Sequence, residues 1–192
     1  VSENNLAQNS LWVYNTKDDS VLDMLQVGQK PTAIQLSPNG YWIYVLNQGS
    51  KSISVIDSET LTIIKTITLG EEPRTIKLSK TGDTLAVITY TNKVMLFETS
   101  NFKQTKTITV GKKPSDIAFS NEGKYLFATT EKSGMLEKIN PYLGRAISLV
   151  ETGKNPTALA LTSKDKIFIA NTGSQGITVI DAIDMSRAKK YN

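Results

Sequence analysis

The chain has 192 residues and a formal charge of +4, from 22 basic and 18 acidic side chains; its 39% hydrophobic share and 12 glycines are ordinary for a folded globular chain. No apolar run approaches the roughly 18 to 20 residues of a membrane-spanning helix, so no membrane span is expected over this range. Cysteine and histidine are both absent, which excludes disulfides and cysteine nucleophiles within the chain and removes the commonest member of zinc, haem and general-base sets.

In chain order, Val1 to Val27 opens without a basic n-region or an apolar h-region, so no targeting peptide is visible, and it reads as two strands. Residues 28–69 read as four: TAIQLS, YWIYVLN, SISVID and IIKTITL alternate with period two and are rich in β-branched and aromatic residues. Turn signals stand between them, SPNG at 37–40, NQGSKS at 47–52 and DSETLT at 57–62. These connections are too short for crossover helices, so neighbouring strands must be antiparallel. Residues 70–110 and 111–152 repeat the same plan, and 153–192 supplies most of a further unit.

The repeat can be measured. Gly28, Gly70, Gly111 and Gly153 are spaced by 42, 41 and 42 residues, and each is followed three places later by Pro31, Pro73, Pro114 or Pro156. A second ruler, Asn15, Asp57, Glu98, Asn140 and Asp181, keeps the same period. A period near 42 with four short antiparallel strands per unit predicts an all-β chain, a β-propeller of four-stranded antiparallel blades, because each blade has two apolar faces that only neighbouring blades can cover.

YVLN at Tyr44–Asn47, FIAN at Phe168–Asn171, the ISVIDSET and ITVIDAID strands, and the recurrent VGxxP resemble the YVTN-type β-propeller repeat over essentially the whole chain. Two middle units depart from the motif, with AVIT from Ala86 and LFATT from Leu126, and the last unit lacks the Gly of the PNG, KTG and NEG turns. The resemblance implies a ring, commonly of seven blades, so between four and five blades here would be part of one larger propeller domain. Residues 1–27 would be outer strands of a blade, 28–69, 70–110 and 111–152 full blades, and 153–192 most of another. Further blades, from the same or another chain, would be needed to close the ring.

Candidate functional residues follow from the repeat. The Gly-x-x-Pro step is expected where one blade's outermost strand crosses to the next blade's innermost strand, with Gly free to take positive φ and Pro needing no ladder N–H. Lys30, Arg74, Lys112, Lys113 and Lys154 fall at these steps and would gather at the channel mouth of a propeller, where cations can hold a carboxylate or phosphate. Glu71, Glu72 and Asp116 dilute that field toward a solvated mixed surface. The Asn15, Asp57, Glu98, Asn140, Asp181 series is expected to accept hydrogen bonds from turn N–H groups rather than to do catalysis. Of Trp12, Trp42, Tyr41 and Tyr44, all on or beside packed strands, Tyr41 next to a turn is the one expected to face outward and join a binding surface.

No phosphate-binding glycine loop, nucleophile elbow, EF-hand loop or nucleic-acid motif is present, so no cofactor, no metal and no nucleic-acid partner is expected. The best reading is a non-enzymatic binding or scaffold module that docks a protein or cell-surface polymer through loops. The alternative is a propeller enzyme of lactonase or dehydrogenase type, or a structural subunit of a large assembly. The resemblance also implies an extracytoplasmic setting, at a cell surface or in a periplasm.

Overall fold

A computed structural model describes residues 9–191, which form eighteen strands without an α-helix among them. Residues 1–8, the opening part of the segment expected as outer strands, lie outside the described residues, as does Asn192. The chain divides into two compact units, Val1–Pro73 and Arg74–Asn192.

The first unit holds a two-stranded sheet, β1 (Ser10–Tyr14) and β2 (Val21–Gln26), and a four-stranded sheet in the order β3 (Pro31–Leu36), β4 (Trp42–Asn47), β5 (Ser52–Asp57), β6 (Thr62–Thr68). All these pairs are antiparallel. Leu25, Val45 and Ile56 form the buried centre between the two sheets, flanked by Leu11, Val13, Val27, Ile43 and Leu61.

The second unit holds three four-stranded sheets in chain order: β7 (Pro73–Leu78), which opens at the unit boundary, with β8 (Thr84–Thr89), β9 (Lys93–Glu98) and β10 (Lys103–Thr109); then β11 (Pro114–Phe119), β12 (Leu126–Thr130), β13 (Met135–Asn140) and β14 (Arg145–Glu151); then β15 (Pro156–Leu161), β16 (Lys166–Asn171), β17 (Gly176–Asp181) and β18 (Arg187–Tyr191). Two apolar layers separate them. Ala86, Ile88, Val94 and Leu96 meet Ile117, Phe119, Leu126 and Ala128, and Phe127 and Leu136 meet Leu159, Ile167, Ile169 and Ile180. The second strands of the first two of these sheets are therefore buried on two sides, as in the runs of β8 and β12. The first strands of the last two sheets are also tied directly. Ser115 Oγ donates to Pro156 O at 2.7 Å, and the Leu159 N–H donates to Asp116 Oδ2 at 3.0 Å.

Each proline of the repeat opens the first strand of its sheet. The glycine three places earlier has a different reason from the expected one. Gly28, Gly111 and Gly153 do not take positive φ; they lie where a Cβ would come within 2.6 Å of Asn47 Cγ, 2.5 Å of Glu137 Oε1 and 2.6 Å of Asn171 Cγ. Close approach, not a left-handed backbone, selects glycine at these three steps. The left-handed residue is instead the one before proline, Lys30, Lys113 or Asn155, with φ of 52°, 60° and 55°. The step at Gly70 is built the other way, with φ +74° and open space around the absent Cβ.

The repeat keeps backbone geometry even where the residue changes. The turns between first and second strands have a left-handed residue at Gly40, Gly82 and Gly123, and Asp165 takes the same conformation in the unit that lacks the glycine. A short polar side chain is among the few that tolerate that region.

Candidate functional site: a cation-rimmed cleft in the second unit

The site starts from a charge the sequence hides. Glu131 follows β12 in the turn TTEKSG and is buried, and two cations from distant parts of the chain close on its carboxylate. Arg74, second residue of β7, donates through Nη2 to Oε1, and Lys113, in the step before β11, lies 2.6 Å from Oε2. The Arg74 guanidinium also sits 5.6 Å from the centre of the Tyr90 ring. Burial alone would raise the Glu131 carboxyl, but the hydrogen bonds from Lys113 and Arg74 outweigh it and hold the group below the ordinary glutamate value.

Glu131 forms one wall of a cleft of about 500 Å³. The same turn contributes Lys132, Ser133 and Gly134; the step after β14 contributes Thr152 to Asn155; Ser174 and Arg187 close the far side. Lys132 and Lys154 are exposed on the rim, and Arg187 donates to Thr152 O at 2.8 Å. Glu151 is the second carboxylate of the lining. Five cations thus stand against two carboxylates in and immediately behind this cleft. The Lys154 N–H points to Ser174 Oγ at 3.2 Å, which ties the step to the turn between β16 and β17. Such an arrangement attracts anions, and its rim cations are free to form charge-assisted hydrogen bonds to carboxylate oxygens.

The residues singled out in the sequence are distributed as follows. Arg74 and Lys113 meet on Glu131, and Lys154 lines the same cleft. Lys112 is exposed beside Lys113. Lys30 and Tyr41 belong to the first unit, both exposed there, Tyr41 at 64%. Asp116 is taken into the first-strand ties: Oδ1 accepts from Ile117 N and Oδ2 from Leu159 N. Trp12 is 43% exposed, Trp42 half-buried and Tyr44 wholly buried.

The recurrent Asx series works in turns. Asn15, Asp57, Asn140 and Asp181 accept backbone N–H groups two or three residues on. Glu98 differs: it accepts from the Asn101 side chain, and Asn101 in turn caps Lys103 N.

The terminal asparagine of the second strand is structural too. Asn171 donates through Nδ2 to Ile169 O, Gly176 O and Thr178 Oγ1 and accepts Gly153 N–H at 2.9 Å. Where LFATT puts Thr130 at that place, Glu137 on β13 supplies the acceptor, taking Gly111 N–H at 2.7 Å. Burial raises the Glu137 carboxyl despite that bond. The repeat partners of Glu137 are Ser54, Met95 and Thr178, so the acid is a local exchange within the scaffold.

Sequence reasoning missed Glu131, because its partners lie 57 residues away toward the N-terminus and in the preceding step. It also missed Lys138, a buried lysine on β13 that donates to Ala182 O and Ile183 O at 2.8 Å each and lies 4.7 Å from the Tyr125 ring centre. A lysine in an alternating strand gave no signal of burial.

Residues 15–101, under half of the chain, match the family model described as lactonase, 7-bladed β-propeller. No curated protein matches in sequence. Among solved structures, Kuenenia stuttgartiensis hydrazine synthase is similar with a TM-score of 0.78 and 18% identity, over 87% of this chain and 51% of that one. A functionally unknown protein from Desulfotomaculum acetoxidans is similar with a TM-score of 0.83 and 12% identity, over 97% and 64%. The chain thus spans between half and two thirds of the length of these structures, and at such identities the likeness concerns the fold. Sheet order, antiparallel pairing and these likenesses agree: the fold is all-β, a β-propeller of four-stranded antiparallel blades with about 42 residues to a blade.

Proposed function

We propose that the chain is a non-enzymatic binding or scaffold module that docks a protein or surface polymer through its loops, with carboxylate groups as the recognised chemistry. The observation that carries this reading is the cleft beside Glu131. Its buried acid is already neutralised by Arg74 and Lys113, which leaves Lys132, Lys154 and Arg187 to an incoming anion. The loops stand on strands whose side chains are fully packed, so docking needs little reorganisation and loses little entropy. Lys112, exposed beside Lys113, would extend the contact surface of this unit, Lys30 and Tyr41 would offer loop contacts of their own on the first unit, and an extracytoplasmic setting is part of this reading.

Titration calorimetry with poly-L-glutamate tests it. The expected result is saturable binding that weakens with salt and falls about tenfold or more in a Lys132→Glu, Lys154→Glu double variant. Binding unchanged by that double charge reversal would overturn the assignment of the cleft.

The match of residues 15–101 to the lactonase family favours a second reading, a propeller enzyme acting on lactones. Lactone hydrolysis assayed with added divalent metal separates the two. Turnover abolished by substituting the chain's own acids would replace the docking reading with the enzymatic one.

A further inference from the structure

One backbone bond recurs just before β1, β5, β9 and β13. The carbonyl of Asn9 accepts the N–H of Val27, that of Lys51 takes Leu69, that of Asn92 takes Val110 and that of Gly134 takes Thr152, each at 2.8 or 2.9 Å. These positions are therefore equivalent, and at two of them the side chain has a further task. Asn92 Oδ1 accepts the N–H of Lys113 at 2.8 Å, and Asn9 Oδ1 accepts that of Lys30 at 3.1 Å. Lys113 and Lys30 are the left-handed residues before the proline of their steps. Asn155 is the left-handed residue of the step before β15, but the position that would cap its N–H is glycine. Among the described residues that N–H has no hydrogen-bond partner. Backbone conformation is not the reason for the glycine, since Asn92 and Gly134 share a φ of 63°.

Gly134 and Asn155 both line the cation-rimmed cleft. The cleft is thus open where Asn92 closes the preceding step, and the donor left there is held in place: Asn155 O accepts from Thr172 N at 3.1 Å and Asn155 Nδ2 donates to Thr172 Oγ1 at 2.8 Å. We infer that the Asn155 N–H is the seat for one carboxylate oxygen of an acidic side chain on an anionic polymer, with Lys132 and Lys154 on the rim taking the neighbouring carboxylates. This inference rests on the docking reading given above and adds to it the residue that fixes the polymer's register. Lysines act as point charges on flexible stems, and they attract a polyanion without orienting it. A backbone N–H set in a rigid step is directional, and its bond to a carboxylate is charge-assisted.

The test gives position 134 the side chain that Asn92 carries. Gly134→Asn leaves every charge of the cleft in place and caps the Asn155 N–H, so poly-L-glutamate is expected to bind it about tenfold or more weakly. The new Cβ would lie 3.2 Å from Gly153 O, so the thermal midpoint of the variant is measured alongside. A second measurement needs no substitution. In amide NMR of the isotope-labelled chain, the Asn155 resonance is expected to move downfield and saturate with poly-L-glutamate, while that of Lys113, already capped by Asn92, stays. Binding indifferent to Gly134→Asn, or an unmoved Asn155 amide, would overturn the seat. If Lys132→Glu, Lys154→Glu still weakens binding in that case, the docking reading stands without it, whereas a chain that binds no poly-L-glutamate at all overturns both.

Discussion

Tyr44 occupies the buried middle of β4 with its hydroxyl unpaired among the described residues, and burial pushes its pKa up to about 12. A buried hydroxyl without a partner destabilises the fold, so Tyr44→Phe is expected to raise stability by up to about 1–2 kcal/mol in urea unfolding. A loss of stability would mean the hydroxyl is satisfied after all. The raised value also sets a pH effect: the neutral phenol is fully favoured below its ordinary value of 10, and stability is lost as pH rises through about 12. The glycines give a second contrast. Gly153→Ala would drive a Cβ to 2.6 Å from Asn171 Cγ and is expected to cost about 1–3 kcal/mol through overpacking. Gly40→Ala meets nothing within 4 Å and carries only the penalty of φ +79°, about 1–2 kcal/mol, which Gly40→Asn relieves while Gly153→Asn does not. Equal rescue by asparagine at both places would contradict the two causes. The sequence made the recurrence of Gly28, Gly111 and Gly153 plain but not their cause, because the groups they touch, Asn47, Glu137 and Asn171, approach only after the strands pair.

At the scale of the element, the glycine N–H finds a side-chain acceptor at two of the steps, Asn171 in the last sheet and Glu137 in the sheet before it, whereas Asn47 Oδ1 at the Gly28 step has no partner among the described residues. Glu137→Gln keeps an acceptor and removes the buried charge. A carboxyl whose folded pKa is raised contributes most below its ordinary value of 4.5 and loses that contribution as pH climbs toward the raised value. The variant is therefore expected to gain on the unsubstituted chain between pH 4 and pH 8, by urea midpoints. A variant that falls steadily behind over that range would show that the charge itself is favourable. Strands and turns were legible at this scale, because alternation of period two and residues such as those of SPNG depend on local geometry alone. The candidate site was legible by half. Arg74, Lys113 and Lys154 announced themselves by their place in the repeat, whereas Glu131, which gathers the first two, sits at no repeated position with an acid and becomes visible only when β7, β11 and the turn after β12 are brought together.

At the scale of the whole molecule, stability is expected to follow a nearest-neighbour rule, each sheet gaining most of its burial from the sheets beside it. Phe127 and Phe168 let this be tested with one residue type at one repeat position. Both lie on the second strand of their sheets, opposite Ala118 and Ala160, but Phe127 is 0% exposed under the following sheet and Phe168 is 41% exposed on the last one. The most direct measurement is the urea unfolding of Phe127→Ala beside Phe168→Ala. Mutual burial predicts a loss of about 3–5 kcal/mol for the first and no more than about 1 kcal/mol for the second, whereas equal losses would contradict it.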